Sequence, residues 1–206
     1  MDNKVYIDTL AVPYWDKSYV LKLDLKDSDF LLFYGHRVTN KVTETCLSQW
    51  YPCRFEVDGD IYTSAEQYMM AEKAKLFGDI ETRSKILNTA EPRKCKALGR
   101  KVKNFDKDVW DENKRHIVED ANIKKFIQND DLREYLLSTG DKVLVEASPT
   151  DCVWGIGLGK NNPDALNPTK WRGENLLGFA LMTAREVIAF MDCFGEFDED
   201  TEDMDA

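Results

Sequence analysis

The feature that most constrains the fold is a continuous series of helix signals between residues 63 and 138. In the first segment, "TSAEQYMMAEKAKLFG", Thr63 or Ser64 is a suitable N-cap and Gly78 a suitable end, because hydroxyl side chains and glycine favour helix boundaries. Caps or apolar spacing predict further helices in "DIETRSKILN", "EPRKCKALG", "DKDVWDENKRHIVEDANIKKFIQN" and "DDLREYLLSTG". A last segment, "NLLGFALMTAREVIAFMDCF", is apolar nearly all round in its first half, which predicts a central helix.

Strand patterns are fewer. "DFLLFYGHR" and "DKVLVEAS" contain the apolar or β-branched runs of buried strands. "RFEVDGDIYT" predicts a β-hairpin, because Asp58-Gly59 is a favoured two-residue turn between short strands. Runs of helices with few strands favour an α+β arrangement over alternating βαβ units. We therefore expect an α+β, mostly helical single domain with a small β-hairpin or sheet, and 206 residues are enough for one core.

The two ends of the chain differ from its body. Residues 1–30 mix short apolar runs with charges and predict an amino-terminal extension of one or two strands or loops. Residues 195–206 predict a disordered acidic tail, since such charge runs are usually solvated. The tail carries seven acids and no bases, so the net charge of −10 falls to −3 without it. The domain itself is expected over residues 31–194.

Composition excludes several classes of protein. No run approaches about 18 apolar residues, so no membrane span is expected. The chain starts without the basic and apolar regions of a secretory signal, and its five cysteines include no C-x-x-C pair, which predicts reduced thiols in a cytoplasm. His36 and His116 do not pair with cysteine or histidine at metal spacing, so a zinc deaminase is disfavoured. Neither a metal nor another cofactor is expected.

The stretch "SPTDCVWGIGLGK" resembles a phosphate-binding loop with the wrong spacing. Its glycines fit neither the P-loop nor the dinucleotide-binding pattern, and it adds an acid, Asp151, and an indole, Trp154. Glycines such as Gly155 and Gly157 allow a ligand close to the backbone and expose N–H groups to anions, while an indole can stack on a base. The stretch therefore predicts one wall of a sugar-nucleotide pocket, or alternatively a packed tryptophan with glycines that serve as turns.

Two other segments carry suitable charges. Glu66, Met69 and Lys73 share one stripe of the first predicted helix, with Glu66 and Lys73 roughly 10 Å apart along the axis. They either flank one ligand or lie on a solvated face. The segment 93–103 holds six bases in eleven residues, which indicates a phosphate-binding patch or a solvated helix face. Carboxylates, lysines and aromatics suit glycosidic-bond or lysine Schiff-base chemistry.

Read together, several segments resemble the NADAR family, also called YbiA-like. They are "CLSQWYPCRFEVDGDIYTSAEQYMMAEKAKLFGD", "IKKFIQND", "LLSTGDKVLVEASPTDCVWGIGL" and "WRGENLLGFALMTARE". The resemblance covers about residues 30–190, in order, and several linked motifs are more specific than any one of them. One departure is Cys152, where relatives often carry a basic residue; the D-x-x-W-G pattern is kept.

The resemblance implies a mostly helical α+β fold that binds ADP-ribose-like or phosphoribosyl ligands and cleaves N-glycosidic bonds. The activity expected is removal of ADP-ribose from guanine in nucleic acid or a nucleotide, with ADP-ribose as the product. Two alternatives remain open. One is an N-glycosidase of phosphoribosylated riboflavin-pathway intermediates, and the other is a non-catalytic ADP-ribose or NAD sensor.

The resemblance also implies the site residues. Lys73, Glu66 and Asp151 are expected to be catalytic. One carboxyl would stabilise positive charge on the ribose and the other would protonate the leaving base, in an order that the sequence leaves open. Lys73 would bind the diphosphate or, as we favour, attack the sugar C1 as a desolvated amine. The expected substrate-binding residues are Ser48, Gln49, Trp50, Tyr68, Trp154, Gly155, Gly157, Asn175 and Gly178.

Overall fold

The computed structural model describes residues 13–194. Within this range the chain forms seven α-helices and four short strands, which confirms the predicted mostly helical α+β class. The helices are α1 Lys17–Val20, α2 Ala65–Leu76, α3 Ile80–Leu87, α4 Pro92–Gly99, α5 Lys107–Ile127, α6 Asp130–Ser138 and α7 Leu176–Phe194. The strands are β1 Phe30–Phe33, β2 Phe55–Val57, β3 Asp60–Tyr62 and β4 Val143–Glu146.

The predictions for the two ends fall largely outside this range. The acidic tail, 195–206, and residues 1–12 of the amino-terminal extension lie beyond the described residues. From residue 13 to β1, the extension contains α1 and a 3-10 turn at Asp27–Asp29 rather than a strand. Helix α1 begins where Asp16 accepts a hydrogen bond from the Tyr19 N–H at 2.6 Å, which is a local N-cap.

The hairpin and the first long helix form as the sequence predicts. Strands β2 and β3 are antiparallel, and the turn between them places Asp58 at φ 52° and Gly59 at φ 82°, as a type I′ turn requires. The Ser64 side chain caps α2 by accepting the Gln67 N–H at 3.2 Å. Just beyond the end of α2, Gly78 takes a left-handed φ of 68°, which glycine adopts without strain.

The two buried strand segments pair with each other. Strands β1 and β4 are parallel, with Phe30 opposite Val143 and Phe33 opposite Glu146. All the helices from α2 to α6 lie between them in sequence. The carboxyl ends of parallel strands lie at the same edge, so the segments that follow β1 and β4 emerge side by side.

Helices cover this pair and enclose the core. Helix α7 packs on β4 so closely that a Cβ at Gly178 would lie 2.0 Å from the Leu144 carbonyl oxygen. Helix α2 is buried between α3, α4 and α5, and α5 also packs along α7. None of the helices in residues 13–194 combines the length and apolar character that crossing a membrane requires.

Candidate active site

A cavity of about 350 Å³ lies at the carboxyl edge of the β1–β4 pair. Its walls come from the segment after β1, the segment before the hairpin, the first turns of α2, one side of α4, the loop after β4 and the start of α7. The lining residues are Tyr34, Gly35, His36, Ser48, Gln49, Trp50, Glu66, Met69, Lys96, Glu146, Ser148, Thr150, Asp151, Trp154 and Leu177.

Half of the residues predicted for the site line this one cavity. Glu66 enters it from the first turn of α2, while Asp151 and Trp154 enter from the glycine-containing loop. They are joined by Ser48, Gln49 and Trp50 from the segment before the hairpin. The early helix and the loop, which lie some 85 residues apart in sequence, thus share a wall.

Lys73 and Tyr68 do not line the cavity. The Lys73 Nζ atom lies 4.1 Å from the centre of the Phe105 ring and 5.1 Å from that of Trp110, and burial there lowers the pKa of the amine. Lys73 shares the helical stripe of Glu66, but it lies two turns further along α2, beyond the cavity. Tyr68 is buried in the core and donates a hydrogen bond to Asp120.

The predicted glycines shape the loop and its packing and do not line the cavity. A Cβ at Gly155 would lie 2.8 Å from the Glu146 carbonyl oxygen, so the loop turns directly against β4. Gly157 has φ 68° and sits against Cys152 and Arg172. The glycines do form a tight loop, but their backbone lies close to other parts of the protein and not to the cavity where a ligand would bind.

Asn175 also acts on the strand rather than on the cavity. It is fully buried with a left-handed φ of 57°. Its Oδ1 atom accepts the Glu146 N–H at 2.9 Å, and its Nδ2 atom donates to the Leu144 carbonyl at 2.9 Å. Both ends of the amide are therefore occupied by β4, and Asn175 connects the loop before α7 to the strand that leads into the cavity.

Glu66 is a buried carboxyl with mixed surroundings. Its side chain is 2 % exposed, and its backbone N–H donates to the Gln49 carbonyl at 2.9 Å. Burial, the largest effect, raises the pKa of Glu66 to about 7. Lys96, the Trp50 side chain and Arg100 oppose this rise and favour the carboxylate. A carboxyl poised near neutrality is suited to proton transfer or to charge stabilisation.

Two buried polar atoms of the cavity wall have no hydrogen-bond partner among residues 13–194. They are the Gln49 Nε2 donor and the Glu66 Oε1 acceptor. The other end of the Gln49 amide accepts a hydrogen bond from Asn122 at 3.2 Å, which orients the group. Buried polar groups are normally satisfied, so this donor and acceptor are available to a polar ligand.

Asp151 is held by its own loop. Its Oδ1 atom accepts the N–H groups of Val153 at 2.9 Å and Trp154 at 2.8 Å. Its backbone N–H in turn donates to the Ser148 hydroxyl at 3.2 Å. This local network, of the kind in which an aspartate binds the backbone two and three residues ahead, holds the carboxylate at the cavity wall.

Sequence reasoning missed Glu146. This residue ends β4 and lines the cavity. Burial and, next, the charge of Asp151 raise the pKa of Glu146 to about 8, while Lys160 lowers it. The available signal was its position: a carboxyl at the end of an otherwise apolar buried strand has to be paired or functional.

Lys96 supplies the amine of the cavity. It comes from the basic segment 93–103, for which the sequence left a phosphate patch and a solvated face open. Lys96 lines the cavity, with Nζ 5.9 Å from the centre of the Trp50 ring. Lys94 and Lys103 are instead exposed and pair with surface glutamates. One basic residue of the segment therefore lines the cavity and others lie on a solvated face. Helical spacing alone could not show which bases point towards the cavity.

The cavity thus combines three carboxyls, one amine and two indoles. The Trp50 ring lies 5.5 Å from that of His36, and Trp154 packs partly against the core. Within residues 13–194, no three His, Cys, Asp or Glu side chains are grouped so that they could hold a metal ion. Acids and an amine beside flat apolar surfaces suit a ligand with a sugar and an aromatic base.

Comparisons with known proteins agree with this architecture. The chain matches the NADAR domain over residues 32–189 and therefore belongs to the NADAR family, as the motifs predicted. The N-glycosidase R617 of Acanthamoeba polyphaga mimivirus is 44% identical over 165 residues, which are 78% of this chain and 97% of the relative. The N-glycosidase Npun_R5314 of Nostoc punctiforme is 36% identical over 143 residues, which cover 69% and 85% of the two chains.

A solved structure shares the fold. The NMR structure of the Escherichia coli protein YbiA superimposes with a TM-score of 0.64 at 25% sequence identity. The superposition covers 83% of this chain and 92% of YbiA. The mostly helical domain with its small sheets is therefore the YbiA fold.

Proposed function

We propose that this protein is an N-glycosidase that removes ADP-ribose from guanine, in nucleic acid or in a nucleotide. The observation that carries the proposal is the meeting of Glu66, Asp151 and Lys96 around one cavity beside Trp50 and Trp154. Relatives of the chain that are named N-glycosidases support the same reaction class.

The carboxyls match the charge changes of the reaction. Breaking the C1′–N bond develops positive charge on the ribose, which a fixed carboxylate at close range stabilises. Glu66 is suited to this role because Lys96 and Arg100 favour its ionised form. Asp151, held by two backbone N–H groups, is a second carboxylate for the sugar or for the attacking water.

Lys96 takes the position that the sequence assigned to Lys73. As an amine on the cavity wall, it either binds a phosphate as a cation or attacks C1 and forms a Schiff-base intermediate. Lys73 lies against aromatic rings and does not line the cavity, so a role in covalent chemistry would require its side chain to leave those rings. Of the two lysines, Lys96 is therefore the one placed to act in either of these ways.

The basic side of α4 supports a substrate with several phosphates. Arg93, Lys96 and Arg100 are three and four residues apart, so they form one stripe that crosses the cavity edge. Arg93 and Arg100 are exposed and form no ion pair within residues 13–194. Phosphates on either side of the scissile bond would find compensating charge along this stripe.

The test is release of base or ADP-ribose from a panel of substrates. The panel contains an oligonucleotide with ADP-ribosylated guanine, ADP-ribosylated guanine nucleotide, and phosphoribosylated riboflavin-pathway intermediates. We expect turnover of the guanine substrates, loss of turnover in Glu66→Gln and Asp151→Asn, and normal turnover in Glu112→Gln, which alters an exposed glutamate of α5.

The panel separates the alternatives. Turnover of the riboflavin intermediates alone would assign the smaller substrate, and tight ADP-ribose binding without turnover of any substrate would identify a sensor. Activity on the oligonucleotide that falls steeply as salt rises, with a weaker salt effect for the nucleotide, would indicate that phosphates along the strand are bound.

A further inference from the structure

We propose that Glu146 is the catalytic acid of this site, the group that donates the proton to the leaving base. The inference rests on the proposed N-glycosidase function and deepens it, because it separates the roles of the cavity carboxyls. The sequence motifs predict Glu66 and Asp151 for this step and do not single out Glu146.

The backbone of Glu146 is held from both sides. Its N–H donates to Asn175 Oδ1 at 2.9 Å, and its carbonyl accepts the Ile156 N–H at 3.0 Å. The next residue, Ala147, donates to the Phe33 carbonyl at 2.9 Å, which keeps the strand end against β1. The Cα position of Glu146 is therefore defined by β1, the loop and the residue before α7 together.

The carboxyl itself is left for a ligand. Glu146 lines the cavity, and its side chain forms no hydrogen bond or ion pair with any residue in the range 13–194. Its backbone, in contrast, has every polar group paired. A half-buried carboxyl without a protein partner keeps its proton more readily than a fully solvated one, and the protonated form is the one that can donate a proton.

The charges around Glu146 and Glu66 differ in sign. The largest charge effect on Glu146 comes from the Asp151 carboxylate, whereas Lys160, whose charge opposes it, already pairs with Glu44 at 2.8 Å. The largest charge effect on the pKa of Glu66 comes from Lys96, and smaller effects come from Asp151 and Arg100. The other ionisable side chains of the wall are Tyr34 and His36.

This difference assigns an acid and a base. Burial and Asp151 raise the pKa of Glu146 to about 8, so that it keeps its proton at neutral pH. The largest charge effect on Glu66 comes instead from Lys96, which favours the carboxylate form. Two carboxyls whose surroundings separate their proton affinities are the usual basis of an acid and a charge-stabilising group in one site.

The step balances as a hydrolysis. The C1′–N bond breaks and its electron pair goes to the base nitrogen, which takes the proton of Glu146. A water molecule then adds its oxygen to C1′ and returns a proton to the Glu146 carboxylate. The products are the free base and the sugar with a hydroxyl at C1′, and the enzyme recovers its starting protonation.

The test compares Glu146→Gln with wild type on the guanine substrates. We expect kcat to fall about 10²- to 10⁴-fold with KM changed by less than about 3-fold, since proton donation acts on the transition state. In wild type, kcat should decline as pH rises through about 8, and this decline should be missing in Glu146→Gln. Glu112→Gln should behave as wild type.

A chemical rescue distinguishes acid catalysis from a structural role. In Glu146→Ala, added imidazolium, which stays partly protonated near neutral pH, should restore part of the lost kcat, which it would not do for a misfolded protein. Thermal unfolding of each variant provides the folding control. A kcat of Glu146→Gln within about 3-fold of wild type, or a wild-type kcat that does not decline above pH 8, would overturn the assignment. Absence of turnover in wild type would overturn the proposed function instead.

Discussion

The ε-amino nitrogen of Lys125 lies 3.0 Å from the carbonyl oxygen of Ser48 and donates a hydrogen bond to it across the core. The same nitrogen donates to the Cys46 carbonyl at 2.5 Å, and the Lys125 side chain is fully buried. One side chain of α5 thus holds the segment that enters the cavity as Ser48, Gln49 and Trp50. Lys125 acts on the site through the backbone and not by contact with a ligand.

Lys125→Met should destabilise the protein while preserving the volume of the side chain. Two buried carbonyls lose their donor, and each unsatisfied group costs about 1–3 kcal/mol. We expect the free energy of unfolding, measured with denaturant, to fall by about 2–4 kcal/mol, and KM to rise because the cavity wall loosens. Lys101→Met, at an exposed lysine after α4, is the control. Equal stability of the two variants would contradict the role.

Asn175 combines hydrogen bonds with a left-handed backbone, and two substitutions separate these contributions. Asn175→Ala and Asn175→Gly both remove the bonds to β4, which should cost about 1–3 kcal/mol in unfolding free energy. Alanine at φ 57° should cost roughly 1–2 kcal/mol more than glycine. An alanine variant as stable as the glycine variant would show that the backbone conformation relaxes.

Gly178 should tolerate no side chain. A Cβ there would lie 2.0 Å from the Leu144 carbonyl oxygen, so Gly178→Ala has to push α7 away from β4. We expect a loss of about 1–3 kcal/mol or more in thermal or denaturant unfolding. Gly159→Ala is the matched control, because its Cβ would make an ordinary contact at 3.9 Å with Pro149. Comparable stability of both variants would refute the close packing.

The two candidate lysines should differ in kinetics. Lys96→Gln removes the amine of the cavity and should lower kcat by about 10²-fold or more. Lys73→Gln removes an amine that packs on Phe105 and Trp110, so we expect a much smaller effect on kcat. Borohydride added during turnover should label Lys96 if the reaction passes through a Schiff base. Labelling of Lys73 would reverse the assignment.

Glu66 should make stability depend on pH. Its pKa is raised by burial to about 7 in the folded protein, above the value near 4.3 of an unfolded chain. Between these two pKa values the folded state binds more protons than the unfolded chain. The contribution of Glu66 to the free energy of unfolding is therefore full below pH 4.3 and is lost as pH rises through 7. The loss is on the order of 3 kcal/mol.

Denaturant unfolding from pH 5 to 8 measures this dependence. Over this range the free energy of unfolding of Glu66→Gln should change less with pH than that of wild type, and Glu112→Gln should follow wild type. Glu146 contributes in the same direction up to pH 8, so the double variant Glu66→Gln/Glu146→Gln should be flatter still. A wild-type slope that survives in the double variant would place its origin elsewhere.

Much of the local structure could be predicted from the sequence. The Ser64 cap, the Asp58-Gly59 turn and the end of α2 before Gly78 each depend on residues within a few positions of one another, where backbone preferences and side-chain hydrogen bonds act directly. The family resemblance also predicts that Glu66, Asp151 and Trp154 belong to one site, and these three residues line one cavity.

Only the tertiary structure decided which charges enter that cavity. Lys73 and Lys96 both lie on α-helices. Whether either side chain lines the cavity depends on how α2 and α4 pack against neighbours far away in the chain. Glu146 becomes a cavity residue because β4 pairs with β1, more than a hundred residues earlier. Local preferences determine helices, turns and caps, whereas the surroundings of a charge arise from the packing of distant segments, which no short stretch of sequence contains.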